Sequence, residues 1–92
     1  MTTETKTREP ISYPTRYPFK VMGRADPTFS DHVRALVAKA LKDDVVTPDL
    51  TEVTSREGKY VSVTITMLLR SEAERRAIYE ALHADERIVY YL

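Results

Sequence analysis

The residues best placed for chemistry are a glycine and an arginine that follow a short apolar segment. Gly23 and Arg24 come directly after Phe19-Lys20-Val21-Met22. A small acylphosphatase-type hydrolase needs a phosphate-binding loop at such a point, with an arginine beside it and a side-chain amide that orients the attacking water. The chain contains no Asn and no Gln, so it lacks the side-chain amide that such a hydrolase needs. Gly23 by itself indicates either a turn with positive φ or a close approach of the backbone to a ligand, and Arg24 is a candidate contact for an anion.

Other catalytic arrangements have little support in the sequence. The two histidines, His32 and His83, stand far apart and lack the spacing of a metal site, so we expect no metal. Cysteine is absent, which excludes thiol chemistry. The pairs Asp43-Asp44 and Asp85-Glu86 follow predicted helices and are typical of solvated turns. We therefore predict a protein without catalytic activity and without a cofactor.

The residues from 60 to 67 form the clearest structural pattern in the chain. Apolar and hydroxyl side chains alternate there, which predicts a strand with one buried and one open face. The buried face would carry Val61, Val63, Ile65 and Met67, and the open face Tyr60, Ser62, Thr64 and Thr66.

The remaining elements can be placed around this strand. A first strand over Phe19–Met22 precedes an amphipathic helix that begins near Phe29, after Asp26 or Thr28 as its cap, and ends before Asp43, Asp44 and Pro48. The other predicted elements are a strand over Thr51–Arg56, a Glu57-Gly58 hairpin, a helix that begins after the capping box Ser71/Glu74, and a strand over Arg87–Leu92.

This βαββαβ order predicts an α+β, ferredoxin-like two-layer sandwich. We expect a four-stranded antiparallel sheet in the order 4-1-3-2, with both helices on one face. The second and fourth strands are then edges, and an edge strand offers a route to a weak homodimer.

The N-terminal residues differ from the rest in composition. Residues 1–16 are polar and contain two prolines, so we predict a flexible tail followed by a domain over 17–92. The tail has no apolar segment, which argues against a signal peptide or a membrane span and favours a cytoplasmic protein. With 14 basic and 14 acidic residues the net charge is zero, which makes nucleic acid an unlikely partner.

The open face of the sheet is the predicted binding surface. Tyr60, Tyr90 and Tyr91 could pack on the sheet or could form a patch for a protein partner beside an edge strand. An RNA-binding module would use the same face, but it would need more aromatic residues on the central strands and a basic surround.

Three segments carry a resemblance to a known family. Tyr17-Pro18-Phe19-Lys20-Val21-Met22-Gly23, then Gly58-Lys59-Tyr60-Val61-Ser62-Val63-Thr64-Ile65-Thr66, and Arg87-Ile88-Val89-Tyr90-Tyr91-Leu92 resemble the YbeD-like family of small bacterial proteins of unknown function. The resemblance spans roughly Tyr13 to Leu92.

The resemblance implies an ACT-like fold and a regulatory or adaptor role, and family members are often encoded near lipoate-synthesis genes. In ACT-type domains small ligands bind near the loop after the first strand. By that resemblance Gly23, Arg24 and Asp26 are the candidate ligand-binding residues. The expected partner is therefore an unidentified protein or a small metabolite.

Overall fold

Four antiparallel strands and two helices follow one another in the predicted order. The computed structural model describes residues 11–42 and 48–92. The elements are β1 (Thr15–Arg24), α1 (Phe29–Leu41), β2 (Asp49–Thr54), β3 (Tyr60–Leu69), α2 (Glu72–Ala84) and β4 (Ile88–Tyr91). The strands lie in the order β2-β3-β1-β4. This confirms the predicted order 4-1-3-2, with β1 and β3 in the centre, and the ferredoxin-like class.

One face of the sheet and the facing sides of both helices form the hydrophobic core. The alternation along β3 is as predicted, since its inward residues are buried and Tyr60 is exposed. From the helices, the most deeply buried side chains are Phe29, Val33, Val37, Ile78 and Leu82. Full burial of one such side chain stabilises the fold by about 1.5–3 kcal/mol, so this layer supplies most of the favourable free energy.

The helix ends follow local sequence signals. At the start of α2, the Ser71 hydroxyl accepts a hydrogen bond from the backbone N–H of Glu74 at 3.3 Å, which confirms the predicted cap. α1 ends at Leu41 and is capped by Lys42, whose backbone is left-handed with φ of 56° and whose N–H donates to carbonyl groups of the last turn. The acidic pair Asp43-Asp44 lies outside the described residues.

β1 is longer than predicted at both ends. The sequence indicated a strand over Phe19–Met22 that begins at Pro18 and stops at Gly23, but β1 begins three residues before the proline and continues one residue past the glycine. Lys20 exchanges backbone hydrogen bonds with Leu92, so the nitrogen of Pro18, two residues earlier, points to the same side of β1. β4 pairs only with the last part of β1. Among residues 11–42 and 48–92 the missing N–H therefore faces no partner strand, and the proline costs no ladder bond there.

β2 lies two residues earlier than the predicted Thr51–Arg56. The backbone N–H of Ser55 donates to the carbonyl of Tyr60 at 2.8 Å, and the Ser55 carbonyl accepts from Gly58 at 2.9 Å. Gly58 adopts a φ of 77°, which favours glycine. The hairpin is confirmed, but its turn begins at Ser55 because that residue closes it.

The folded domain begins before the predicted boundary between residues 16 and 17. Residues 15 and 16 belong to β1. Tyr13 packs against the core, and its hydroxyl donates to a carboxylate oxygen of Glu72 at 2.6 Å. Residues 13–16 are therefore part of the domain, because an aromatic anchor holds them to α2. Residues 1–10 of the predicted tail lie outside the described residues.

Candidate functional site

A cavity of about 410 Å³ opens where β1 ends, between the loop that leads into α1 and the segment that leads into β4. Its lining residues are Arg24, Ala25, Asp26, Glu86, Arg87 and Val89. The backbone N–H of Ala25 donates to the carbonyl of Lys59 at 2.9 Å, which fixes the loop to the start of β3. Two of the three candidate ligand residues thus line one cavity, and the opposite wall comes from a segment that the sequence did not assign to the site.

Gly23 lies beneath this cavity, inside β1, and does not line it. A Cβ atom on Gly23 would stand 2.3 Å from Cε1 of Phe29 and 2.8 Å from the carbonyl oxygen of Arg87. Its φ is not positive, so the predicted turn at this position is wrong. The glycine is required because a buried ring and the backbone before β4 press against it, which is a close approach within the chain itself.

Asp26 is held as a charged carboxylate by Thr28, the residue before α1, whose side chain makes no capping hydrogen bond to the helix, so the predicted side-chain cap at this end is wrong. Its Oδ1 atom accepts hydrogen bonds from the backbone N–H of Thr28 at 2.7 Å and from the Thr28 hydroxyl. These hydrogen bonds, with a smaller contribution from the nearby Arg87, lower the pKa of Asp26 below its ordinary value. Asp26 therefore stays ionised and keeps the loop in shape.

Arg87 is a fixed cation on the opposite wall. Its guanidinium lies 3.5 Å from the Asp26 carboxylate, donates to the Thr28 hydroxyl at 3.2 Å and stands 5.8 Å from the centre of the Phe29 ring. Asp85 accepts from the Arg87 backbone N–H at 2.9 Å and contacts His32 of α1 at 2.8 Å. This wall is thus attached to the start of α1 by the side chains of Arg87 and Asp85.

Arg24 differs from Arg87 because its guanidinium is available. Arg24 is exposed, and among residues 11–42 and 48–92 no carboxylate pairs with it. The cavity therefore combines one free cation, a fixed cation next to a fixed carboxylate, and the carboxylate of Glu86. Such a set can bind an anion or a zwitterion by hydrogen bonds. The described residues that line the cavity include no hydroxyl or thiol nucleophile paired with a base.

The predicted partner patch is divided between the two faces of the sheet. In the register of the strands, Tyr60 lies opposite Arg24 and Tyr90 lies opposite Met22, so both tyrosines lie on the open face. Tyr91 pairs with the buried Val21 and therefore lies on the helix side. The structure brings Tyr60 and Tyr90 to one surface and removes Tyr91 from it.

Tyr91 belongs instead to an aromatic cluster between β1, β4 and α2. Its ring lies 5.9 Å from that of Tyr79, and its hydroxyl lies 3.2 Å from Nδ1 of His83. The Arg75 guanidinium stands 5.6 Å from the ring centre of Tyr17 and 5.4 Å from that of Tyr79. Arg75 and Tyr79 were not among the predicted site residues, although their spacing of four residues places them on one helix face.

The two central tyrosines of this cluster titrate differently. The hydroxyls of Tyr17 and Tyr79 lie 3.3 Å apart. Burial raises the pKa of Tyr79 to about 12, while the hydrogen bond between the two hydroxyls lowers the pKa of Tyr17. None of these residues lines the cavity described above. The cluster holds β1 against α2 and therefore stabilises the fold.

Two further features concern the described residues as a whole. No group of three His, Cys, Asp or Glu side chains in residues 11–42 and 48–92 is arranged to hold a metal ion. Within the same ranges neither helix is long and apolar enough to cross a membrane.

The sequence matches one family model and several curated relatives. The model described as "Protein of unknown function (DUF493)" matches residues 8–92. A UPF0250 protein of Shewanella halifaxensis is 39% identical over 85 residues, which cover 92% of this chain and 93% of the relative. A UPF0250 protein of Nitrosomonas europaea is 34% identical over 82 residues, with 89% and 93% covered.

Solved structures share the architecture at low sequence identity. The solution structure of protein HP0495 from H. pylori has a TM-score of 0.77 at 22% identity and covers 100% of this chain and 94% of its own. The ACT domain from the GTP pyrophosphokinase of Chlorobium tepidum has a TM-score of 0.61 at 6% identity, with 86% and 96% covered. The C-terminal domain of MgtC from Mycobacterium tuberculosis has a TM-score of 0.65 at 14% identity, with 91% and 89% covered. These likenesses concern the fold.

Proposed function

The chain belongs to the family described as protein of unknown function DUF493, and from that premise we propose that it is a non-catalytic regulatory domain that binds a small anionic or zwitterionic metabolite beside Arg24. The membership agrees with the YbeD-like resemblance of its strands. The family description assigns no activity, so the proposal depends on the geometry of this chain. As part of the same proposal, the domain acts in the cytoplasm, as a monomer or as a weak homodimer through an edge strand.

The observation that supports this function is the free Arg24 guanidinium at the rim of a cavity of metabolite size. A volume of about 410 Å³ falls within the range of about 300–1,000 Å³ that is typical of small-molecule sites. Arg24 supplies hydrogen bonds for a carboxylate or phosphate of the ligand. Glu86 lies on the opposite wall and can accept from an ammonium group, so an amino acid fits the set of charges.

The walls of the cavity explain how binding would be transmitted. One wall is the loop between β1 and α1, and the other is the segment between α2 and β4. A ligand that contacts both walls would connect both crossover loops of the fold. The mechanism is binding that favours one arrangement of these loops, without a covalent step. An ACT domain among the fold neighbours is consistent with this kind of role.

Titration of the isotope-labelled protein with the common amino acids and with lipoate precursors tests the proposal by NMR. We expect shifts confined to the amides of residues 24–28 and 86–89. Arg24→Ala should weaken binding about 10- to 100-fold, because a hydrogen bond to a charged group is worth about 1.5–3 kcal/mol. Arg34→Ala, an equally exposed arginine on α1, is the matched control and should bind as the unmodified protein does.

A ligand screen without shifts at these amides, or equal binding by both alanine variants, would rule out the site. The non-catalytic part of the proposal has its own test, which is hydrolysis of an acyl phosphate such as acetyl phosphate. We expect no turnover above that of buffer. Turnover that disappears in Arg24→Ala would show a hydrolase and would overturn the assignment.

A further inference from the structure

A row of four side chains crosses all four strands on the open face of the sheet, and three of the four are apolar. In the register of the strands, Val53 of β2, Ser62 of β3, Met22 of β1 and Tyr90 of β4 stand side by side. Val53 is 66% exposed and Tyr90 is 57% exposed. We call these four residues the apolar band, although its β3 member, Ser62, is polar; Val53 and Tyr90 at its ends are exposed, and Met22 and Ser62 between them are half-buried. Isolated exposed apolar residues are ordinary, whereas apolar side chains grouped on one face mark an interaction surface.

The same face carries positive charge although the chain as a whole is neutral. The outward positions of the four strands hold three cations, Arg16, Lys20 and Arg24, and one carboxylate, Asp49. Arg16 and Asp49 pair at 2.5 Å. Lys20 and Arg24 are exposed, and within residues 11–42 and 48–92 neither has an acidic partner. The net charge of the face therefore comes from two unpaired cations.

These two cations flank the apolar band on either side. Lys20, Met22 and Arg24 are alternate residues of β1, so the cations stand about 6–7 Å before and after the band along the strand. Across the sheet the band extends over about 14 Å, since neighbouring strands lie about 4.8 Å apart. A helix of about ten residues has this length.

We propose that the open face docks an amphipathic helix of a partner protein, with the apolar stripe of the helix along the band and acidic residues on both sides of that stripe. Carboxylates on one flank would reach Lys20 and those on the other would reach Arg24. The surface is separate from the metabolite cavity except for Arg24, so the two proposals can fail independently.

The composition of the band favours a helix over a nucleic acid. RNA modules with this topology stack bases on aromatic residues of the central strands. The open face of the central strands β1 and β3 carries one aromatic residue, Tyr60, and the central positions of the band are Ser62 and Met22. Two unpaired cations attract a few carboxylates, whereas a polyanion requires a larger basic surface.

Two designed helical peptides of about 14 residues test the proposal with the complete chain. Both have the same Leu stripe at i, i+3, i+4 and i+7, flanked by Glu in one and by Lys in the other. We expect the Glu peptide to bind and to shift amides of Lys20, Met22, Ser62 and Tyr90. The Lys peptide should bind at least about 20-fold more weakly, because each exposed ion pair contributes up to about fivefold and each Lys adds repulsion.

Variants at exposed positions locate the binding site and leave the packing of the core unchanged. Lys20→Glu should weaken the Glu peptide about tenfold and strengthen the Lys peptide, while Lys39→Glu on α1 is the matched control and should change neither. Tyr90→Ala should weaken the Glu peptide at least tenfold, because aromatic residues dominate helix docking. In contrast to the charge variants, Tyr90→Ala should retain its effect at high salt.

Several outcomes would overturn the proposal. These are equal binding of both peptides, binding of the Glu peptide that is unchanged in Lys20→Glu, and no binding of the Glu peptide at millimolar concentration. Tighter binding of a single-stranded RNA oligonucleotide at the same salt would assign the face to nucleic acid. A dimer detected by light scattering that Tyr90→Ala dissociates would assign it to a second copy of the chain.

Discussion

Replacement of Gly23 by alanine tests how closely β1 packs against Phe29 and against the backbone before β4. The new Cβ atom would lie 2.3 Å and 2.6 Å from two ring carbons of Phe29 and 2.8 Å from the backbone oxygen of Arg87. Carbon and oxygen atoms in proteins do not approach so closely, so the ring or the strand must move. Phe29 is only 1% exposed and has no free space to enter.

The expected cost of Gly23→Ala follows from these contacts. Overpacking of a well-filled core costs about 1–3 kcal/mol, and contact with a backbone atom places this case at the upper end. Alanine also lowers the conformational entropy of the unfolded chain, which offsets about 0.4–1 kcal/mol of that cost. We expect a net loss of about 2 kcal/mol in the free energy of unfolding. For a domain of this size, that lowers the melting temperature by about 8–16 °C.

Urea unfolding followed by circular dichroism measures this loss, and a double-mutant cycle identifies its cause. Phe29→Leu removes the ring carbons that clash, so the double variant should be less destabilised than the sum of the single variants by at least about 0.5 kcal/mol. Gly58→Ala is the control. Its Cβ would meet no atom within 4 Å, and its cost comes only from a positive φ of 77°.

Two results would refute the reasoning. A Gly23→Ala variant whose free energy of unfolding lies within about 0.5 kcal/mol of that of the unmodified protein would show that the Phe29 ring and β4 can move at little cost. Full additivity with Phe29→Leu would show that the ring is not the obstacle. The cycle with Gly58→Ala should be additive, because that glycine lies in the hairpin turn and contacts neither group.

Three further predictions concern a cap, a carboxylate and a tyrosine pair. Ser71→Ala should lower the free energy of unfolding by about 1 kcal/mol in urea titrations, and no change would show that the cap at the start of α2 does not stabilise the protein. Thr28→Val should raise the pKa of Asp26 toward its ordinary value in carbon-detected NMR titrations, since the Thr28 hydroxyl hydrogen bond is lost. Because the folded protein depresses this pKa, the associated stability is present above the ordinary value and is lost as the pH falls, and Thr28→Val should weaken that dependence. Absorbance titration should show one tyrosine ionising near pH 12 that is absent in Tyr79→Phe, and there the pKa of Tyr17 should rise. Since the folded pKa of Tyr79 is raised, its contribution to stability is complete below about pH 10 and is lost toward pH 12, so persistence of that loss in Tyr79→Phe would contradict the assignment.

Much of the fold could be predicted because burial is encoded locally. The alternation along β3 and the apolar stripes of both helices are properties of neighbouring residues, and they require a sheet that is covered on one side. The element order then restricts the topology to a few choices, of which right-handed crossovers select one. The elements and the strand order were accordingly predicted correctly, while the family was predicted from the resemblance of three segments.

The boundaries of β1 and the role of Gly23 could not be predicted in the same way. Pro18 is compatible with the middle of β1 only because β4 does not extend far enough to face its nitrogen. Gly23 is required by a ring six residues later and by a backbone atom near the end of the chain. Both reasons lie in contacts between distant segments, which the local sequence does not show.

The sequence alone determined that the sheet has one bare face and that an arginine follows the first strand, since side-chain periodicity and order along the chain are sufficient for both. Only the tertiary structure decided that Arg87 closes the cavity beside Arg24 and that Tyr90, rather than Tyr91, joins the open face. The register of β4 on β1, shifted by an irregularity between Met22 and Gly23, sets both placements. That register depends on how the last strand packs against the rest of the domain.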